Sequence, residues 1–425
     1  MLLLLVHPLL AGLVPPTLRT GIAPPALAQA PTCRARAILA CAPSQEEWRD
    51  FRAKLISGGI KVTSDEDGGD AVVDEMTSSE DAVRESVAPA NEDLLKSQNE
   101  ALWREYLDGA WAHVAPFPEP GGLLLRQPLQ AQLMWMMREG GSNQWAWGEK
   151  LAAKLEKELP DTADGDAEDS RLERWQGNTM YMYRLAETLI EESLESLAAK
   201  SSDGKISWQK LDEDQKDLIT LYSAAQDSWQ EVCLVLGGSS EGGAASPAAA
   251  GECVVINRPI ARSMSRELAE LLLNGAREVR TSGLPPLYSS EFVDRFMQAF
   301  GNEAAVYVGG PDQQDASGLV IHGFDLPGAA EVSPGTRIFS GGIEAAVDAV
   351  LDGTRSPLDF RFFVGRRSDV STGDGAWRAV ACARPIALKQ CLGLPKPLWH
   401  EVQELCGGEL AELSKIELLK RTDLQ

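Results

Sequence analysis

Residues 253–274 read CVVINRPIARSMSRELAELLLN, and they hold in succession a buried strand, a polar corner and an amphipathic helix. Residues 253–256 are four apolar side chains rich in β-branched types, which suits a strand covered by its neighbours. Pro259 stops the ladder, because it has no N–H to donate and disfavours helical geometry at Arg258. Ser265 is placed to cap the helix that follows. Glu267 sits in its first turn near the positive dipole end, Leu268, Leu271 and Leu272 share a face, and Asn274 with Gly275 ends it.

The chain around this element has 425 residues, 44% of them apolar, enough for a substantial core and more than one folded unit. Its net charge of −23 comes from 40 basic and 63 acidic residues. Without an extended basic stripe it is not expected to bind nucleic acid by broad phosphate neutralisation, which leaves room for a local basic site. The seven cysteines, at 33, 41, 233, 253, 382, 391 and 406, contain no C-x-x-C pair. Neither a disulfide framework nor a zinc site is indicated, and a reducing compartment fits. The four histidines, at 7, 113, 322 and 400, show no paired metal spacing, so no metal or other cofactor is expected.

Residues 1–45 lack Asp and Glu and are dominated by Ala, Leu and Pro, with Arg19, Arg34 and Arg36. They read as a targeting segment: signal-like apolar runs, then an Arg-containing acid-free stretch, the order used for import into a plastid or chloroplast. The secretory pathway, a mitochondrion and a disordered Ala/Pro arm are the alternatives. The apolar runs are too short, and too broken by Pro8 and Pro15, to span a membrane. Residues 46–112 read as an acidic, mostly disordered region with short helices at 46–58 and 94–112. Between 65 and 93 stand eleven acidic residues against one Arg84, a composition of solvated chain.

Residues 113–129 contain a first core strand at 123–125, and 130–228 read as a helical insertion with helices at 133–138, 148–159, 182–197 and 212–225. Trp145, Trp147, Trp175 and Trp208 are read as packing anchors of that layer. Residues 229–425 form an α+β core. Its strands are expected at 230–236, 253–256, 304–308, 319–322, 337–339, 359–365 and 377–383, the first two paired. Its helices are expected at 266–273, from Ser290 as cap through Phe292, Phe296 and Phe300, at 343–351, at 398–405 and at 410–419. Phe360, Phe362 and Val364 lie on one face of the 359–365 strand, with Arg361 and Phe363 on the other. The loop GGSSEGGAASPAAAG at 237–251 has no Lys, which rules out a phosphate-cradling P-loop.

A set of motifs recurs in a fixed order: Val254-Val255-Ile256-Asn257-Arg258-Pro259, Val308-Gly309-Gly310-Pro311, Val320-Ile321-His322-Gly323, Glu331-Val332-Ser333-Pro334-Gly335, Asp359-Phe360-Arg361-Phe362-Phe363-Val364-Gly365, and Leu398-Trp399-His400-Glu401-Val402 with Gly407-Gly408. In this order they resemble the AlgH/YqgE family of uncharacterised proteins, found in bacteria and plastids, over roughly half the chain. The resemblance implies an α+β fold with a mixed, partly barrel-like sheet and flanking helices. Where that family follows the Phe-rich strand with a Gly-Tyr-Ala-Gly-Trp turn, this chain has Gly365-Arg366-Arg367-Ser368-Asp369.

The candidate binding residues are Asn257, Arg258, Gly309, Gly310 and His322; no catalytic set is identified. Asn257 and Arg258 can present an amide and a guanidinium to a small anion, or serve the turn itself and pair with a carboxylate. Gly309 and Gly310 can admit close approach of a ligand, or simply meet the backbone demands of a hairpin. His322, at a strand end, can act as a general base or bond to a neighbouring loop. Three functions follow: a non-enzymatic or regulatory protein binding a partner protein or small ligand, a small-anion-binding enzyme built on the corner and the Gly-Gly-Pro turn, and a transcription-related regulator by family analogy.

Overall fold

The computed structural model describes residues 98–138, 179–199, 208–237, 250–276, 285–368, 370–373, 375–392 and 397–420, with positions 96 and 153 besides. The expectations for 1–45, 46–58, 65–93 and, apart from position 153, 148–159, those for Trp145, Trp147 and Trp175, and that for the middle of the 237–251 loop lie outside the described residues.

Helix α1 (Glu100–Gly109) is followed by strands β1 (Ala112–Val114) and β2 (Leu123–Arg126), then helices α2 (Leu129–Arg138), α3 (Thr179–Ala199) and α4 (Glu213–Asp227). Strands β3 (Val232–Gly237), β4 (Glu252–Val255) and β5 (Pro259–Ala261) lead to helices α5 (Arg266–Asn274) and α6 (Ser290–Phe300). Strands β6 (Ala305–Val308), β7 (Leu319–His322), β8 (Ala329–Glu331) and β9 (Phe339–Gly341) precede helix α7 (Ile343–Leu351). Strands β10 (Arg361–Val364) and β11 (Trp377–Cys382) and helices α8 (Arg384–Ala387), α9 (Leu398–Cys406) and α10 (Gly408–Leu419) complete the series.

The class is α+β, with the strands divided into two open sheets. One is antiparallel throughout, in the order β1-β11-β2-β3-β4. The other runs β5-β6-β10-β7-β9-β8 and is mixed, because β6 and β10 are parallel. A single bridge between Cys253 and Arg367 stitches β4 to the segment after β10.

The two-residue period of the strands divides their side chains among separate cores. Leu123, Leu125, Val232, Leu234 and Val254 of the first sheet meet Tyr307, Ile321 and Phe363 of the second in a shared core closed by Trp399. The alternate residues Leu124, Cys233, Val235, Cys253 and Val255 turn to the other face, against Trp377 and Val370. On the outer face of the second sheet, Phe360 and Phe362 pack on α5, α6 and α7. Helices α2, α3 and α4 bury their apolar stripes against Leu410, Leu413 and Ile416 of α10. Tyr183 and Trp135 fix that layer through hydrogen bonds to Glu417 and Glu409. Burial on both faces explains why β2, β3 and β10 read as almost continuous apolar runs.

Several expectations shift. The first strand is β1, in the tail of what reads as a helix; Ala112 is buried and pairs with Cys382, whereas the helix stops at Gly109. The ladder of β4 ends at Val255, before the corner, and Pro259 then opens β5, an edge strand of the other sheet, where a missing N–H costs no pairing. Arg337 has a φ of 52° and cannot belong to a strand, so β9 starts at Phe339. Ser289, not Ser290, caps α6. Trp208 is 42% exposed and is not among the buried residues of the helical layer's described core. Among the described residues no helix is long and apolar enough to cross a membrane.

Phe300 is fully buried and makes edge-on contacts with Phe360 and Phe362, 5.7 and 4.8 Å between centroids. Phe300→Ala is expected to lower stability by about 3–5 kcal/mol, seen as a drop in the urea midpoint with an unchanged slope.

Candidate functional site

Asn257 stands in for a strand residue. Its Oδ1 accepts from the Val232 N–H at 2.9 Å and its Nδ2 donates to the Gln230 carbonyl at 2.8 Å. Both ends of the amide are therefore spent where β3 begins, at a point where Gln230 takes a left-handed φ of 53°. Arg258 donates to the Trp229 carbonyl, and its own carbonyl accepts from the Val308 N–H at 3.0 Å. The corner thus ties β3, β4 and β6 together.

Gly309 and Gly310 do not form a hairpin. Strands β6 and β7 are not neighbours, because β10 lies between them. The glycines instead pass beneath the segment that follows β10. A Cβ on Gly309 would stand 2.3 Å from the Gly365 carbonyl oxygen, and one on Gly310, at φ 152°, 2.2 Å from that of Arg366. Gly309 also donates to the Val364 carbonyl at 2.7 Å and accepts from the Val255 N–H at 2.8 Å. Asp312 exchanges backbone bonds with Arg366, and its carboxylate accepts from the Ser368 hydroxyl and N–H at 2.6 and 2.8 Å, which holds it below the usual carboxylate range.

This contact positions two arginines. Arg366 pairs with Glu252, and Arg367 pairs with Glu231 at 2.7 Å. Arg367 also lies 5.5 Å from the centroid of the Trp377 ring, which Arg126 approaches at 5.6 Å. Glu231 is buried, and burial pushes its carboxyl above the ordinary value against the opposing pull of Arg367, Arg258 and Arg126.

His322 stands apart. In the register of β10, Ile321 faces Arg361 on one side while Val308 faces Val364 on the other. His322 and Gly309 therefore lie at opposite ends of the sheet, roughly 15 Å apart along the strands. His322 is fully buried. Its Nε2 meets the Gly341 carbonyl at 3.0 Å and its Nδ1 accepts from the Phe324 N–H at 3.3 Å. The structure therefore brings Asn257, Arg258, Gly309 and Gly310 into one joint and leaves His322 out.

Arg126, Glu231, Arg366, Arg367 and Trp377 are the joint's further members. Of these, only Arg366 and Arg367 carry a signal in the sequence, as the pair standing where the resembling family has an aromatic turn. No nucleophile is set among them: burial raises the Cys253 thiol to about 12 and the Cys233 thiol well above its ordinary value. Burial likewise raises the Cys391 thiol to about 12. Among the described residues no group of three or more His, Cys, Asp or Glu could hold a metal. A cleft of about 270 Å³ between α5, β7 and the start of α7 is lined by Leu272, Tyr288, Leu319 and Gly342, and by none of the five candidates.

No family model matches the chain, and no curated protein matches it either. Among solved structures it matches the solution structure of the AlgH protein from Pseudomonas aeruginosa, described as UPF0301. The chain is similar to AlgH. The identity is 22%, over 37% of this chain and 69% of that one, with a TM-score of 0.22. A likeness of that size fixes neither fold nor function.

Gly310→Ala is expected to cost about 2–4 kcal/mol, since backbone occupies the space a Cβ needs. Gly353→Ala, at φ 70° with nothing within 4 Å, should cost only about 1–2 kcal/mol; comparison of their urea midpoints checks the close approach. His322 supplies a pH signature. Burial holds its imidazolium below the ordinary 6.5, helped by Arg361 and opposed by its bonds to Gly341 and Phe324. The folded chain therefore binds this proton less readily than the unfolded chain. The resulting stability is complete above 6.5 and drains as pH falls through the lowered value. Urea midpoints measured from pH 7.5 to 5 should fall less steeply for His322→Phe than for the unsubstituted chain, with the slope due to His113 retained in both.

Proposed function

We propose that this chain is a non-catalytic, AlgH-like binding module that docks a partner protein on the surface around the Asn-Arg-Pro corner. The observation that carries this reading is the direction in which the corner spends its groups. Asn257, Gly309 and Gly310 bond inward to backbone. What they leave outward is Trp229, 37% exposed, beside the Arg258 guanidinium, and Ile260, 53% exposed, on an edge strand. Exposed Arg262 follows in the same segment. An exposed apolar residue with arginines two positions to either side, together with a tryptophan whose carbonyl one of them holds, has the composition of a binding hot spot. In a chain of net charge −23 the two guanidiniums favour a partner segment that carries carboxylates around an apolar side chain.

The enzymatic alternative would need His322 in reach of the corner, and the sheet separates them. The test is photo-crosslinking from position 260, with position 351 on the exposed Leu351 as the control surface. One partner should be recovered from 260 and not from 351. Its purified form should bind the full chain saturably, and Trp229→Ala should weaken that affinity by about thirtyfold or more. Equal adducts from both positions, or affinity indifferent to Trp229→Ala, would overturn the reading.

A further inference from the structure

Outside the described residues the chain carries a stretch with the chemistry that the corner favours. Residues 65–93 hold eleven acidic residues against one Arg84. Within them, 70–76 read Asp-Ala-Val-Val-Asp-Glu-Met, so that Asp70, Asp74 and Glu75 bracket Val72 and Val73 in the sequence. Carboxylates around apolar side chains are what Ile260 and its two arginines call for.

The charges of the described surface single out the same place. Among its exposed arginines, Arg104, Arg184, Arg266, Arg295 and Arg337 each stand within 4 Å of a carboxylate, and Arg355 lies over the Phe324 ring. Arg262 has neither. Arg258 donates to the Trp229 carbonyl, an uncharged acceptor, and Glu231, which also feels its charge, is paired with Arg367. A chain of net charge −23 repels an acidic segment over most of its surface. The corner is where such a segment meets arginine instead.

The connection has a matching length. Asn99, the cap of α1, donates to the Asp359 carboxylate two residues before β10. Val364, at the other end of β10, faces Val308, whose N–H bonds to the Arg258 carbonyl. The corner therefore lies about 20 Å from the point where the chain enters the described fold, along β10 and two strands across. Residues 77–98 supply 22 positions, and a flexible chain of that length has an r.m.s. span of about 25 Å. A tether matched to its span gives an effective concentration in the millimolar range. A segment whose separate affinity is only ~0.1 mM would then occupy the site about nine-tenths of the time. We propose that residues 70–76 dock on the corner of their own chain, Val72 and Val73 against Ile260 and the carboxylates at Arg258 and Arg262, and that a partner protein has to displace them. This rests on the reading of the corner as a docking surface and adds its regulation.

The experiment uses the purified full chain with the photo-crosslinker at position 260 and no partner present. Irradiation should join position 260 to the peptide that contains residues 70–76, identified by mass spectrometry. The yield should be independent of protein concentration and fall several-fold as sodium chloride rises from about 50 to about 500 mM. Val72→Ser combined with Val73→Ser should remove the adduct, and position 351 should give none. The same double variant should bind the partner recovered from position 260 about tenfold more tightly than the unsubstituted chain. Adducts confined to other parts of the chain, or an adduct of dimeric mass that fades on dilution, would overturn the proposal. Equal affinity of the double variant and the unsubstituted chain for that partner would overturn it too, and leave the docking surface standing. An adduct to residues 70–76 with no partner recovered would keep the self-contact and remove the docking of a separate protein.

Discussion

Backbone lies directly on backbone where Gly309 and Gly310 pass beneath Gly365 and Arg366, and the arrangement of both sheets depends on that contact. No side chain fits there, since the space for either Cβ is taken by carbonyl oxygen at 2.2–2.3 Å. Because the contact is so close, the segment after β10 can exchange bonds with Asp312 on one side and with Cys253 on the other. The second of these is the stitch between the sheets. Remove the close approach and β4 loses its bonds to Gly309 and Arg367, Arg367 loses its place at Glu231, and the core between the sheets opens at that edge.

The Asn257 amide performs the complementary task in the first sheet. A strand that turns away at a proline leaves one donor and one acceptor of its neighbour unpaired, and each would carry a desolvation cost of about 1–3 kcal/mol. Asn257 meets both with one side chain. The corner then directs the chain from β4 of one sheet into β5 of the other. One residue thus satisfies the end of the first sheet while the next few begin the second.

The core was legible where burial is two-sided or strongly periodic. Strands β2, β3, β4, β6, β7, β10 and β11 stand out because apolar runs of four to six residues admit few other readings. So do α5 and α6, whose caps and leucine or phenylalanine spacing agree. Short strands held by pairing alone were hard to read: β1 and β8 were not legible and β9 is expected two residues early, each having three residues and largely exposed or half-buried side chains. Of the candidate site, Asn257, Arg258, Gly309 and Gly310 could be singled out because Asn, Arg and Gly in apolar surroundings demand a reason. Glu231, Arg126 and Trp377 could not, since nothing local in the chain says that residues 126, 231, 367 and 377 converge. That convergence is a product of register: Arg126 faces Trp377 across β2 and β11, and the Gly-Gly turn delivers Arg367 to the same ring.

The electrostatics of the chain follow from this layout. A net charge of −23 leaves arginine the scarcer resource, yet arginines gather at the joint and in the core between the sheets. Guanidinium suits both places for the same reason: it is planar, stacks on an aromatic face and remains charged when partly desolvated. At the joint that charge meets Glu231 and Glu252, so the groups offset one another and hold strands in place. Arg361 lies one strand inward, on the face of β10 opposite Phe360 and Phe362, where the Asp359 carboxylate two residues earlier in the chain opposes its charge. The rule that a buried ion has its counter-ion is kept by Lys389 with Glu401 and by Arg367 with Glu231.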